Sequence, residues 1–270
     1  AEEKILRGAI LDRRGNILAS EDLETGDRVY PAARAMAHVV GYVDREYGRT
    51  GVEASAAGWL LGLERPELGI RDLLVSAQRT GKAVPNQGND VILTLDLALQ
   101  QRGHELLGDR HGAIAAVDPR TGAVLCLVSR PTFDPAHLAE TLAEAGSEDS
   151  DSELLNRASQ GLYAPGSTFK ILVASAALDA GIIKPSDTYE CHGETTFRGQ
   201  RIRCWNRAGH GVVNLEQAII GSCNIYFAHI GERFLSMPGG RGKEIFEAYC
   251  DGFGFGATPP VGLYVEPSRV

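Results

Sequence analysis

Ser167-Thr168-Phe169-Lys170 follows Pro165-Gly166 directly and heads an apolar run, which sets a hydroxyl and an amine one helical turn apart on one face. A serine hydroxyl is a poor nucleophile at neutral pH and needs a base beside it. A lysine can be that base where burial disfavours its ammonium form. Ile171, Leu172, Ala174 and Ala177 supply apolar surroundings of that kind, and Ser167 in the first turn lies at the positive end of the helix dipole. Ser-x-x-Lys also arises by chance in helices of this composition, so a second cluster is needed. Ser222-Cys223-Asn224 provides it. Attack by serine on an amide calls for a proton relay to the leaving amine and for a group that holds the substrate amide. Ser222 fits the first role and Asn224 the second. Cys223 is expected to pack inward rather than act as a nucleophile.

The elements that must position these residues are readable. Asn214 caps a helix over Leu215 to Ile220, with Gln217 completing an asparagine version of the capping box, and Gly221 ends it. The next helix runs from Ile225 to Leu235, so the triplet occupies a tight connection between two helices. Upstream, residues 8 to 20 form a hairpin around Arg13-Arg14-Gly15-Asn16. A short stretch with Ala35 to Tyr42, a helix from Val52 to Leu63, and strand-like segments at Leu73 to Gln78 and Lys82 to Val84 follow. These make a small β-rich N-terminal module, residues 1 to 88. A strand from Asn89 reaches Asp96, which caps a helix over Leu97 to Leu107, and Ala113 to Val117 pairs antiparallel with Ala123 to Ser129. His137 to Leu155 is acidic and reads as a solvated helix and loop. Tyr189 to Phe197 and Gln200 to Trp205 read as a hairpin about Arg198-Gly199.

The paired motifs resemble those of the penicillin-binding protein transpeptidases and the serine β-lactamases. Further stretches resemble class B penicillin-binding proteins in particular. Arg7-Gly8-Ala9-Ile10-Leu11-Asp12-Arg13, with Gly15 and Leu18-Ala19, looks like their opening hairpin. Leu93-Thr94-Leu95-Asp96 with Leu99-Gln100 is similar to the start of their transpeptidase domain, and Asp118-Pro119-Arg120-Thr121-Gly122-Ala123-Val124-Leu125 to its first sheet hairpin. Asn156-Arg157-Ala158, Trp205, Gly209-His210-Gly211 and Phe253-Gly254-Phe255-Gly256 match as well. The short N-terminal module resembles the compact actinobacterial type.

This resemblance implies an α+β fold: a transpeptidase domain over residues 89 to 270, an antiparallel sheet with helices on both faces, after the N-terminal module. It implies a D,D-transpeptidase that needs no cofactor or metal. Ser167 would attack the bond between two D-alanines of a peptidoglycan stem peptide and pass the acyl group to an amine. Lys170 would take the serine proton, Ser222 would relay one to the leaving amine, and Asn224 would hold the substrate amide. β-Lactam antibiotics would acylate the same serine, and the cell-wall synthesis machinery would be the setting. A serine β-lactamase or β-lactam sensor, a D,D-carboxypeptidase and a non-catalytic interaction protein are the alternatives.

One departure stands out. The family's third motif, Lys-Thr-Gly or Lys-Ser-Gly, does not occur after Asn224. Arg49-Thr50-Gly51, Arg79-Thr80-Gly81 and Arg120-Thr121-Gly122 all precede Ser167 and read as turns. In the family the third-motif strand supplies a lysine for the substrate carboxylate and an oxyanion-hole N–H. Losing one such donor alone costs roughly 100- to 1,000-fold in rate. The transpeptidase domain is therefore expected to be incomplete here and to be completed by a complementing downstream segment of the same protein.

Composition fits a folded domain of 270 residues, 43% hydrophobic, and a net charge of −8 leaves no basic footprint for nucleic acid. No apolar run is long enough to span a bilayer. Family members carry an N-terminal membrane helix, so the resemblance implies an extracytoplasmic location, with Ala1 just after such an anchor. A disulfide between Cys191 and Cys204 would suit that location, and two free thiols fit the sequence equally well, because hairpin register cannot be set from sequence. Together with His192 and His210 these cysteines make a poor zinc candidate, since no Cys-x-x-Cys or His-x-x-x-His spacing is present. Cys126 and Cys250 are expected in the core.

Overall fold

The computed structural model describes residues 6–63, 88–145 and 152–269, so the strand-like segments expected at 73–78 and 82–84 lie outside the described residues. Helix and sheet are mixed throughout, and the chain divides into two compact units. The first runs to Gly161 and takes in Pro260–Glu266; the second is Leu162–Pro259 with the residues after Glu266.

In the first unit, β1 (Ile10–Leu11) and β2 (Ile17–Glu21) form the expected hairpin. Asp12 holds its turn, accepting from the backbone N–H of Arg14 and Asn16, both at 2.8 Å. β3 (Arg28–Val29) pairs with β2. After α1 (Ala33–Val40) come a short hairpin of β4 (Val43–Asp44) and β5 (Gly48–Arg49), then α2 (Gly51–Ser55) and α3 (Ala57–Leu60). The single helix expected over Val52 to Leu63 is thus broken at Ala56, whose backbone leaves the helical conformation. β6 (Val91–Ile92) runs parallel to β1, so one four-stranded sheet joins residues on both sides of position 88.

Asp96 caps α4 (Leu97–Leu107) as expected, accepting from Ala98 and Leu99. β7 (Gly112–Val117) and β8 (Val124–Arg130) pair antiparallel through the Asp118 to Gly122 turn. Gln100 is buried at 1% exposure and pins α4 in place. Its amide donates to Ala35 and Leu127 carbonyls at 2.9 and 2.8 Å and accepts from the Leu127 N–H at 2.8 Å. α5 (Leu138–Ala145) follows. Ile10, Leu18, Met36, Val39, Val52 and Leu60 form the core around this frame.

A buried ion trio lies beside that core. Glu53, fully buried, receives Arg7 at 2.8 Å and Arg28 at 2.6 Å, both arginines being less than a tenth exposed. Each charge there depends on the others, because an unpaired charge away from water is strongly disfavoured.

The second unit starts with a 3-10 turn, Gly166–Phe169, that runs straight into α6 (Lys170–Asp179). β9 (Tyr189–Cys191), β10 (Glu194–Phe197), β11 (Gln200–Arg203) and β12 (Gly211–Val213) follow. β10 and β11 form a hairpin whose two turn residues, Arg198 and Gly199, both have positive φ, the conformation that matches strand twist. Tyr189 to Cys191 does not join that hairpin as expected: it pairs with Gly211 to Val213. Gly193, with φ +89°, separates the two pairings.

α7 (Leu215–Ile220) and α8 (Asn224–Leu235) bracket the triplet, and α9 (Arg241–Gly252) packs on α8 and α6. The capping box at Asn214 is formed in full, an arrangement worth about 1 kcal/mol at the cap. Tyr226, Ile225 and Ile230 of α8 are fully buried against Ala176 and Ala177 of α6. That packing sets Lys170 and the triplet face to face.

Candidate active site

Ser167 lies in the 3-10 turn and Lys170 begins the helix proper, so the two side chains share one turn and one face. The triplet enters from the opposite side. α7 ends at Gly221, and Ser222 adopts φ +47°, a left-handed conformation costing a non-glycine residue about 1 kcal/mol. Packing offsets that cost: Cys223 is fully buried, and its sulfur accepts from the Tyr226 N–H at 3.5 Å as the cap of α8. The tight turn throws the side chains of Ser222 and Asn224 to the same side as Lys170.

Their geometry is close and polar. Ser222 Oγ donates to Ser167 Oγ at 2.9 Å and accepts from Lys170 Nζ at 3.0 Å. Lys170 Nζ also donates to the Ser222 carbonyl at 2.8 Å and to Asn224 Oδ1 at 2.7 Å, so its three N–H bonds have three acceptors. Asn224 Nδ2 donates in turn to the Arg203 carbonyl at 3.0 Å. The Phe227 ring lies 5.4 Å from Nζ. Burial holds Lys170 below the usual lysine range, against the opposing pull of the Cys204 and Cys223 sulfurs. All four residues singled out in the sequence therefore converge, and Ser222 joins the serine to the lysine.

A second constellation lies directly behind the triplet. Cys191, Cys204, His210 and Cys223 bring one donor atom each to within 4.8 Å of one another. His192, which the sequence groups with these cysteines, instead points outward, 73% exposed, beside Glu190. Cys223 takes its place. The β9–β12 pairing brings Cys191 beside Gly211, and Gly209 (φ +84°) admits the close approach: a Cβ there would fall 2.0 Å from the Cys191 carbonyl oxygen. His210 Nδ1 then faces Cys191 Sγ at 3.6 Å and Cys204 Sγ at 3.5 Å.

Burial raises the Cys204 thiol, but the Asn224 and Asn206 backbone N–H groups and the Cys191 and Cys223 side chains outweigh it, so it is lowered overall. The Cys223 thiol is pushed up to about 11, chiefly by burial. Three sulfurs and one imidazole in a closed, buried set suit a tetrahedral, thiophilic ion such as zinc, whose roughly 2.3 Å bonds to sulfur need ligands this close together. Sequence spacing carried no sign of this set, because sheet pairing and the inter-helix turn assemble it from four separate segments.

A serine placed at a helix start, joined through a second hydroxyl to a lysine and flanked by an asparagine, matches the arrangement of serine acyl-transfer enzymes. The family profile of the penicillin binding protein transpeptidase domain matches residues 112–268, and the chain belongs to that family. A penicillin binding protein A dimerisation domain profile matches residues 7–84, and the two together make it a class B penicillin-binding protein.

Among curated relatives, the peptidoglycan D,D-transpeptidase MrdA of Acinetobacter baumannii is 34% identical over 89% of this chain and 39% of its own length. Among solved structures, the D,D-transpeptidase domain of a peptidoglycan glycosyltransferase from Eggerthella lenta superposes with a TM-score of 0.82 at 31% identity, over 98% of this chain and 57% of that one. The penicillin G acyl-enzyme complex of penicillin-binding protein A from Mycobacterium tuberculosis gives 0.83 at 26% identity, over 98% and 63%. The chain thus spans about two fifths of the MrdA length. No helix among the described residues is long and apolar enough to cross a membrane.

Proposed function

We propose that this chain carries the acyl-transfer site of a peptidoglycan D,D-transpeptidase, with Ser167 as nucleophile. The observation that supports it most is the position of the Ser222 hydroxyl, within hydrogen-bond reach of both Ser167 Oγ and Lys170 Nζ. In its neutral form Lys170 takes the Ser167 proton, with Ser222 bridging the two. Ser167 Oγ then bonds to the carbonyl carbon between two D-alanines of a stem peptide. Ser222 passes a proton to the departing D-alanine nitrogen, and the amine of a second stem takes the acyl group from Ser167. Asn224, at the mouth of this network, holds the substrate amide through its side chain.

β-Lactams acylate the same serine by the same attack, the ring C–N bond opening and its nitrogen taking the proton from Ser222 while staying in the acyl group, a reading supported by the penicillin G acyl-enzyme that the similar M. tuberculosis protein forms. Residues 89–270 form the transpeptidase part and 1–88 the N-terminal module, a division supported by the profile match over residues 7–84. A segment bearing a Lys-Thr-Gly or Lys-Ser-Gly strand completes the oxyanion hole, and the protein works on the extracytoplasmic side of the membrane with other cell-wall enzymes.

The test is transfer. Given a stem pentapeptide ending in two D-alanines and an amine acceptor, the protein is expected to release one D-alanine and form the amide-linked dimer. D-alanine release without dimer would make water the acceptor, and rapid penicillin turnover would indicate a β-lactamase. No release would favour a non-catalytic scaffold that keeps the fold.

A further inference from the structure

We propose that Arg203 forms a carboxylate subsite at the rim of the active site, selecting donor stems that carry a free carboxylate shortly before their two D-alanines. The inference rests on the transpeptidase reading and adds which donor that site prefers.

The hairpin that bears Arg203 runs against the charge of the chain. Residues 194–207 hold Arg198, Arg201, Arg203 and Arg207 with Glu194 as the lone acid, in a chain of net charge −8. The β10–β11 register sets Glu194 opposite Arg203 and Thr196 opposite Arg201. Side chains alternate across a strand, so these four residues share one face, and all four are exposed. Ile202, on the other face, packs against the core.

On the outer face two guanidinium groups share one carboxylate unequally. Arg201 donates to Glu194 Oε2 through Nε at 2.9 Å and through Nη2 as well. Arg203 Nε lies 3.9 Å from the same oxygen, beyond hydrogen-bond reach, and its side chain is 51% exposed. Glu194 therefore serves Arg201, and the Arg203 fork faces solvent with paired N–H donors that match a second carboxylate.

The backbone fixes that fork beside the chemistry. The Arg203 carbonyl accepts from Asn224 Nδ2 at 3.0 Å, and the Trp205 indole N–H donates to the Gly221 carbonyl at 2.8 Å. The 203–205 segment is thus tied to both ends of the 221–224 turn. Cys204 is buried between two exposed neighbours, so the Arg203 side chain leaves on the solvent side. Asn224 spends Oδ1 on Lys170 and one Nδ2 hydrogen on Arg203, which leaves its other hydrogen for a substrate carbonyl. In the donor that carbonyl belongs to the residue before the acyl D-alanine. An extended peptide advances about 3.3–3.6 Å per residue, so a carboxylate on that residue, or on the one before it, stays close to the Asn224 amide and to the fork. The third and second residues of a stem pentapeptide are the two sources, and both offer an alkyl carboxylate.

The experiment measures how stem pentapeptides slow the acylation of Ser167 by benzylpenicillin. Three peptides are compared, each with a diamino acid bearing a carboxyl group as its third residue. One has both internal carboxylates free, one is amidated at the third residue, and one at the second. The wild type is expected to bind the free peptide about two- to fivefold more tightly than at least one amidated form, the range of a part-exposed ion pair. The amidation that weakens binding identifies the source. Arg203→Gln should bind all three alike, and Arg203→Lys should restore part of the preference. Each preference is a ratio within one protein, so a general weakening in a variant cancels. Equal competition by the three peptides in the wild type, or a preference that survives in Arg203→Gln, would overturn the proposal while the acylation itself upholds the transpeptidase reading. A wild type that benzylpenicillin does not acylate would overturn that reading and this proposal with it.

Discussion

Replacing Asn224 by leucine should move the titration of Lys170 downward, by an amount that its contacts set. In the wild type the ammonium directs its N–H bonds to the Ser222 carbonyl, Ser222 Oγ and Asn224 Oδ1, at 2.8, 3.0 and 2.7 Å. The last is the shortest, and leucine removes it without offering another acceptor. A hydrogen bond to a charged group contributes about 1.5–3 kcal/mol. One pKa unit corresponds to about 1.4 kcal/mol, so the charged form should lose about one to two units. Burial already holds Lys170 below the ordinary lysine range, and the variant should lie lower still.

The assay is NMR of protein labelled at lysine Cε, with Lys170→Met identifying the signal, so the readout does not depend on turnover. If acylation is also followed, the acid limb of its pH profile should shift the same way while the plateau falls, since on the role proposed for Asn224 the substrate amide loses its partner. An unmoved Lys170 titration, or one moved upward, would refute the reasoning.

Two further outcomes concern the first unit. Glu53→Leu should destabilise by about 3–5 kcal/mol in urea unfolding, because it leaves Arg7 and Arg28 as buried, uncompensated cations. Joint replacement of all three by apolar residues should recover most of that loss; a fully additive triple variant would contradict the trio. His38, whose pKa burial lowers to about 4, should make stability fall as the pH drops from 6.5 toward 4. Over that window the unfolded chain binds a proton that the folded one does not, at a cost of at most about 3 kcal/mol. His38→Gln should flatten the dependence in pH-resolved denaturant titrations, and an unchanged slope would assign the acid sensitivity elsewhere.

What could be read in the sequence was what is local. The Asn214 capping box, the Asp96 cap and the hairpin at Asp12 to Asn16 each depend on side chains reaching their own neighbours, and each formed as expected. The serine–lysine spacing and the polar triplet were legible for the same reason, because helix periodicity and two helix ends define their directions. Pairing across distance was not. Tyr189 to Cys191 could close with Gln200 to Trp205 or with Gly211 to Val213, and strand alternation does not choose between them.

That pairing decides whether Cys191 meets His210, so the sequence could group Cys191, Cys204 and His210 only with the outward-facing His192, missed Cys223, and discounted a set that the structure brings together. The left-handed Ser222 had no signature either, since its conformation is imposed by a buried Cys223 on one side and the Gly221 contacts on the other. Arg7, Arg28 and Glu53 meet across three segments, and no spacing rule links them.

Ser167 as the nucleophile is the claim on which the rest turns. Intact mass after incubation with benzylpenicillin, followed by mapping of the adduct to a peptide, tests it directly. The expected result is one adduct per chain on the peptide carrying Ser167, and none on the Ser167→Ala protein. An adduct on another residue, Ser222 or Cys223 included, or an acylated Ser167→Ala protein, would contradict it.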